Sequence, residues 1–95
     1  MKNKNGKIRR RFVFYGEVQG VGFRWQAVQA ASACGVSGWV RNEYDGSVTM
    51  EIQGSREAVS AVIAFLNKDR WIRIRSMETT ELELNTEERD FRVVY

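Results

Sequence analysis

Apolar positions recur at two different spacings along the chain, and the switch between them outlines its elements. Ile8 to Tyr15 is rich in β-forming residues and stops at Gly16, which predicts a strand. Phe12 and Phe14 fall on one of its faces, Val13 and Tyr15 on the other, as in a strand covered on both sides. The spacing then lengthens: Phe23, Ala27, Ala30, Ala31 and Cys34 recur at helical intervals, and Gly35 follows as a C-terminal cap. Trp39 to Asn42 reads as a second strand and Asp45-Gly46 as a hairpin turn. Val48, Met50 and Ile52 alternate with Thr49, Glu51 and Gln53, predicting a half-buried third strand that ends at Gly54. Ser55 is an N-cap for a second helix whose apolar face is expected at Ala58, Val62, Phe65 and Leu66. Residues 72–84 carry strand character, Thr86 to Asp90 a charged turn, and Phe91 to Tyr95 a short closing strand. Strand–helix–strand–strand–helix–strand plus a terminal strand predicts an α+β, ferredoxin-like sandwich. It would have two helices on one face of an antiparallel sheet.

The 95 residues make one domain, with 43% hydrophobic residues for a modest core and no apolar run long enough to span a membrane. No apolar stretch follows the basic N-terminus to make a signal peptide, so the cytoplasm is the expected location. The chain has no histidine and a single cysteine, Cys34. Histidine-based triads, histidine-ligated zinc, internal disulfides and multi-cysteine metal sites are thereby excluded. Any catalyst must work with Arg, Lys, Asp, Glu, Asn and backbone amides. The net charge of +3 is unevenly spread: residues 1–24 hold seven Lys/Arg and one Glu, for +6, and the rest total −3. A basic front end favours an anionic ligand, although residues 1–7 (Met-Lys-Asn-Lys-Asn-Gly-Lys) themselves read as a flexible, solvated tail.

The candidate chemistry lies between the first strand and the first helix. Gly16-Glu17-Val18-Gln19-Gly20-Val21-Gly22 places three glycines in seven residues, which lets amide N–H groups turn inward around a small anion. The loop runs into a helix N-terminus, where the dipole favours negative charge. No Ser, Thr, Asp or Asn occurs from Gly16 to Arg24 to cap those amides, and Arg24 adds a fork for bidentate phosphate or carboxylate binding. The loop matches neither the dinucleotide fingerprint nor the nucleoside-triphosphate loop. On composition alone, a plain strand-to-helix connection with a surface arginine is as good a reading.

Gly16-x-Val18-Gln19-Gly20-Val21-Gly22-Phe23-Arg24, then Gly38-Trp39-Val40-Arg41-Asn42 and Asp45-Gly46-x-Val48, resembles the acylphosphatase family over residues 8–95. The terminal Phe91-x-Val93-x-Tyr95 extends the likeness. The resemblance implies a cytoplasmic hydrolase that cleaves the carboxyl–phosphate bond of acyl phosphates, releasing a carboxylate and inorganic phosphate, with no metal or cofactor. It implies Arg24 and Asn42 as catalytic residues, and Gln19, Gly20, Val21, Gly22 and Phe23 as the substrate-binding phosphate cradle. In that role Arg24 and the loop amides bind phosphate while Asn42 orients the attacking water. Two departures stand out: Ala27 replaces a hydroxyl residue common in the family, and Asp69-Arg70-Trp71 lacks the common Gly-Pro. Altered packing or substrate preference is expected from these, rather than lost chemistry.

The remaining residues read as structural. Trp39 is expected as a core or interface aromatic and Cys34 as a buried thiol. Alternation puts Arg10 on the face of Phe12 and Arg9 and Arg11 opposite, as solvated edge residues. Glu43 and Asp45 are hairpin residues. Glu78, Glu81, Glu83, Glu87, Glu88 and Asp90 form a solvated acidic region. The competing functional class is a catalytically weak anion-binding or RNA-binding module, since RNA-recognition domains share the element order. Against RNA, Ser47 to Ile52 has no aromatic and carries an acid, so nucleic acid is an unlikely partner. Acylphosphatase-like domains also open hydrogenase-maturation proteins, but a free-standing monomer without membrane association is the expectation.

Overall fold

The computed structural model describes residues 6–95. The basic tail expected over residues 1–7 falls mostly outside these, and Lys7 already belongs to the first strand, β1 (Lys7–Glu17). There follow α1 (Phe23–Cys34), β2 (Ser37–Asn42), β3 (Val48–Ser55), α2 (Arg56–Lys68), β4 (Arg73–Leu82) and β5 (Phe91–Val93). The sheet order is β4-β1-β3-β2-β5. This is the α+β ferredoxin-like arrangement. One expectation is corrected: β5 pairs parallel with β2, so the sheet is mixed rather than antiparallel. The chain leaves β4 at the lower edge of the sheet, crosses to the far edge and runs upward beside β2. A hairpin could not make that connection.

β1 is an inner strand, and its two faces differ. Ile8, Phe12 and Phe14 are buried with Val40, Val48, Met50 and Ile52. Ala27, Ala30 and Ala31 of α1 and Val59, Val62 and Leu66 of α2 pack in the same core cluster. Ser55 caps α2 as expected, its hydroxyl accepting from the Ala58 amide at 3.0 Å. The apolar face of α2 is rotated from the expected one: Val59 is buried, whereas Phe65 is exposed. Val59, Val62 and Leu66 form the stripe of one helical face, and Phe65 falls on its flank. After α2 the Gly-Pro is replaced by a side-chain turn. The Asp69 carboxylate accepts from the amides of Trp71 (2.8 Å) and Ile72 (3.1 Å).

The opposite face of the sheet departs most from expectation. β3 is buried on both sides, not half-buried, and its Thr49, Glu51 and Gln53 are among the buried polar residues. Arg9, expected at a solvated edge, is only 4% exposed. Its guanidinium pairs with Glu51 at 3.0 Å and Glu88 at 2.7 Å. Gln53 accepts from the Asn85 amide at 2.7 Å and donates to the Asn85 carbonyl at 3.1 Å. The segment after β4 is thus strapped over the end of β3, and Glu88 leaves the solvated acidic set. Burying Arg9 is tolerable because both carboxylates and Gln53 satisfy it. Arg11 pairs with Glu51, and Arg10, on the helix side, with Glu81. Trp39 is half-buried, its ring 5.1 Å beneath the Arg41 guanidinium.

Candidate active site

The upper end of the sheet gathers the β1–α1 loop, the N-terminus of α1, the β2–β3 hairpin and the end of β5. Core packing holds the first of these. Phe23 opens α1 with 2% exposure, and its ring lies 5.0 Å from that of Phe14. An aromatic pair of this kind contributes about 0.5–1.5 kcal/mol beyond the area it buries, and it locates the helix start relative to β1. Arg24 follows directly, so its origin is tied to the core.

The loop reaches that helix through two left-handed residues, Gly20 (φ 74°) and Gly22 (φ 85°). A side chain at either would find open space but a strained backbone. Gly22 is also the N-cap of α1 and brings no capping side chain, and the first turn contains no acidic residue. The positive end of the helix therefore has no carboxylate of its own.

Across the cavity stands Asn42, the last residue of β2. Its Oδ1 is buried and has no hydrogen-bond partner among the described residues. An orphaned buried acceptor costs about 1–3 kcal/mol, and such a cost is commonly borne where a ligand or water completes the bond. The hairpin that follows is heavily bonded. Glu43 N donates to Ser47 O at 2.8 Å, and Gly46 N to Glu43 O at 3.2 Å. The Asp45 carboxylate accepts from the Ser47 hydroxyl (2.6 Å) and amide (3.0 Å), which hold its pKa below the usual aspartate value. Bonding to the Thr49 hydroxyl, and then to Arg41, likewise lowers that of Glu43.

One cavity of about 410 Å³ brings Gly20, Gly22, Phe23, Arg24 and Asn42 together. Arg24 makes no ion pair among the described residues, and its guanidinium lies 5.4 Å from the Tyr95 ring centroid. Among the described residues, its side chain is the one charged side chain lining the cavity. The two other expected cradle residues do not line it. Val21 packs against the core instead. Gln19 turns its side chain away to the hairpin, donating to Glu43 O at 2.7 Å and Ser47 O at 2.8 Å. It ties the loop bearing the glycines to the hairpin bearing Asn42. Ala27 is wholly buried beneath the site. Sequence reasoning missed Trp25, Val28, Gln29, Val93 and Tyr95 in the cavity wall. Helical spacing from Arg24 to Val28 was the available signal for one of them.

A larger crevice, about 820 Å³, opens near Cys34 and the start of α2; it shares Val28 but contains neither Gly20, Gly22, Arg24 nor Asn42. The smaller cavity is the better candidate, because the orphaned acceptor, the unpaired arginine and the uncapped helix start all meet there. It can hold a phosphoryl group against a cation and amides, with an acceptor for a water on the other side. No group of three or more metal-ligating side chains occurs among the described residues. No helix among them is long and apolar enough to cross a membrane.

A family model described as Acylphosphatase matches residues 10–93. An acylphosphatase of Oceanobacillus iheyensis is 45% identical over 82 residues, covering 84% of this chain and 90% of the relative. Among solved structures, an acylphosphatase from Bacillus subtilis superposes with a TM-score of 0.85 at 27% identity, over 93% of this chain and 99% of that one. Full-length HypF in a phosphate- and nucleotide-bound form superposes with a TM-score of 0.84 at 26% identity, over 94% of this chain but 12% of HypF.

Proposed function

The chain belongs to the acylphosphatase family, and on that premise we propose that it hydrolyses the carboxyl–phosphate bond of acyl phosphates at the cavity between Arg24 and Asn42. The observation that carries this reading is the buried, unpartnered Oδ1 of Asn42 in the same cavity as the unpaired Arg24 guanidinium.

In this reading Arg24 and the amides of the Gly20–Phe23 segment bind the phosphoryl oxygens and stabilise charge in an in-line transition state. Gln19 and Val21 contribute at most their backbone. Asn42 Oδ1 accepts a hydrogen bond from the attacking water and aims its oxygen at phosphorus. An asparagine is too weak a base to remove the proton, but an acyl phosphate already carries a good leaving group, so positioning suffices. The water oxygen bonds to phosphorus and the bond to the acyl oxygen breaks. Its electron pair leaves with the carboxylate, and the proton ends on the phosphate. No metal or cofactor enters these steps. The protein is expected to act as a cytoplasmic monomer.

Hydrolysis of benzoyl phosphate in ¹⁸O-water tests this route. Attack at phosphorus puts the label in inorganic phosphate. Label in the benzoate would mean attack at the carbonyl carbon and would overturn the assignment of roles. A second reading, an anion-binding module without catalysis, predicts phosphate binding and no turnover of any acyl phosphate.

A further inference from the structure

The segment that carries the chain from β4 to β5 is fastened by polar contacts and hardly at all by packing. Residues 83–90 are exposed except for Leu84 and Glu88, which are half-buried. Leu84 is their one apolar residue, and it is not among the side chains packed on the core. Glu88, Arg89 and Asp90 border the open crevice of about 820 Å³. Two polar fastenings hold the segment to the sheet. Gln53 makes its two bonds to the Asn85 backbone. Arg9 grips Glu88 with both prongs of its fork, Nη1 to Oε1 at 2.7 Å and Nη2 to Oε2 at 3.2 Å. Glu51 takes the same Arg9 at 3.0 Å and Arg11 at 2.8 Å, so two guanidiniums meet two carboxylates. A buried cluster of this kind adds little stability over apolar packing of the same volume, but its bidentate bonds are satisfied in one geometry only.

That geometry is passed along a short tether. Glu88 stands three residues before Phe91, the first residue of β5. β5 is three residues long and pairs in parallel with β2 at the edge of the sheet, the weaker kind of pairing per residue. Beyond it Val94 N donates to Val40 O at 2.9 Å. The chain then ends at Tyr95, whose ring lies 5.4 Å from the Arg24 guanidinium. Tyr95 is 95% exposed, so its place beside Arg24 follows from where β5 is held. We propose that Glu88, gripped by Arg9, is a positioning residue for the phosphate end of the candidate active site. It fixes β5, and through β5 the Tyr95 ring against Arg24. The role rests on the reading of Arg24 as the phosphate-binding residue. A ring face beside the guanidinium restricts its rotamers and preorganises the fork toward the cavity.

The test is a double-mutant cycle on the full chain, with Glu88→Gln, Tyr95→Leu and the pair together. It is read by calorimetric titration with inorganic phosphate and by KM for benzoyl phosphate. Glu88→Gln leaves Arg9 its bonds to Glu51 and Gln53, so no buried charge is stranded. Each single variant should raise the phosphate Kd and the KM about two- to fivefold, the scale of one exposed cation–π contact. The double variant should be no worse than the weaker-binding single, because both changes remove the same contact. Arg9→Lys keeps the charge but loses the fork, and should repeat the effect even if Glu88→Gln fails to fold. Ser55→Ala, which removes the cap of α2, serves as the control that lowers the melting temperature and leaves phosphate affinity unchanged. Wild-type phosphate affinity in Glu88→Gln or Arg9→Lys overturns the inference. So do effects that multiply in the double variant, or an equal loss of affinity in Ser55→Ala. Wild-type protein that binds phosphate but turns over no benzoyl phosphate overturns the hydrolase reading alone, and the titrations still decide the positioning role. Wild-type protein that binds no phosphate overturns both.

Discussion

Replacing Gln19 should affect stability and turnover together, because its side chain joins the two halves of the site. Its amide donates to Glu43 O at 2.7 Å and to Ser47 O at 2.8 Å. Both carbonyls keep a second partner when Gln19 is removed: Gly46 N for Glu43 O, and Glu43 N for Ser47 O. Gln19→Ala therefore forfeits two net hydrogen bonds rather than orphaning two acceptors, or about 1–3 kcal/mol in all. With a urea m-value of about 1 kcal/mol/M, the low end of the range for small proteins, the unfolding midpoint should drop by about 1–3 M. Asn42 directly precedes Glu43, so loosening this tie lets the water-orienting oxygen drift from the glycine loop. A displacement of about 1 Å can cost on the order of 10²-fold in rate. Gln19→Glu places carboxylate oxygens against the same two carbonyls and should be worse than alanine in both assays. Urea denaturation and steady-state benzoyl phosphate hydrolysis, run on both variants, decide the matter. A Gln19→Ala protein with the wild-type midpoint and kcat refutes the tie. So does a glutamate variant no worse than alanine.

The other predictions concern the loop, the hairpin and pH. Gly22→Ala, at a left-handed position in open space, should lose about 1–2 kcal/mol from backbone strain alone, read as a lower melting temperature, and should weaken phosphate inhibition. The bonds from Ser47 depress the pKa of Asp45, so their contribution is present above the unfolded value of 3.8 and is lost as pH falls through the lower folded value. The stability gap between wild type and Asp45→Asn should therefore narrow below that pH; a gap that persists unchanged in acid contradicts this origin. Turnover should be nearly flat from about pH 5.5 to 7.5, where an unperturbed histidine would titrate, and insensitive to EDTA. A steep inflection attributable to the enzyme, or loss of activity on chelation, would implicate a group outside this account.

Local signals carried much of this architecture. The helical spacing from Phe23 to Cys34 matches α1 residue for residue, and the Ser55 cap and the Asp45-Gly46 turn lie where composition put them. These are decided by neighbours within a few positions. The misjudged features depend on partners far along the chain. Glu51 and Gln53 read as solvent-facing because their partners Arg9 and Asn85 lie 32 to 44 positions away along the chain, and Glu88 reaches Arg9 across 79. The parallel pairing of β5 with β2 likewise has no local signature. In α2, Val59 and Phe65 both fit an apolar helix face, and only the position of the sheet decides between them. At the site, the glycines, Arg24 and Asn42 stood out as residue types. The outward turn of Gln19 did not, because it answers carbonyls in a hairpin that forms elsewhere. Nor did the aromatic wall of Trp25 and Tyr95, since exposure in a folded chain is not written in residue type.

If Arg24 and Asn42 act on one substrate in one cavity, removing either side chain must disable hydrolysis. This is tested most directly by measuring benzoyl phosphate hydrolysis by wild type, Arg24→Ala and Asn42→Ala, with folding verified by circular dichroism. Wild type should turn over, and each folded variant should lose about 10²–10³ or more in rate. Either variant folded and turning over at the wild-type rate would contradict that requirement.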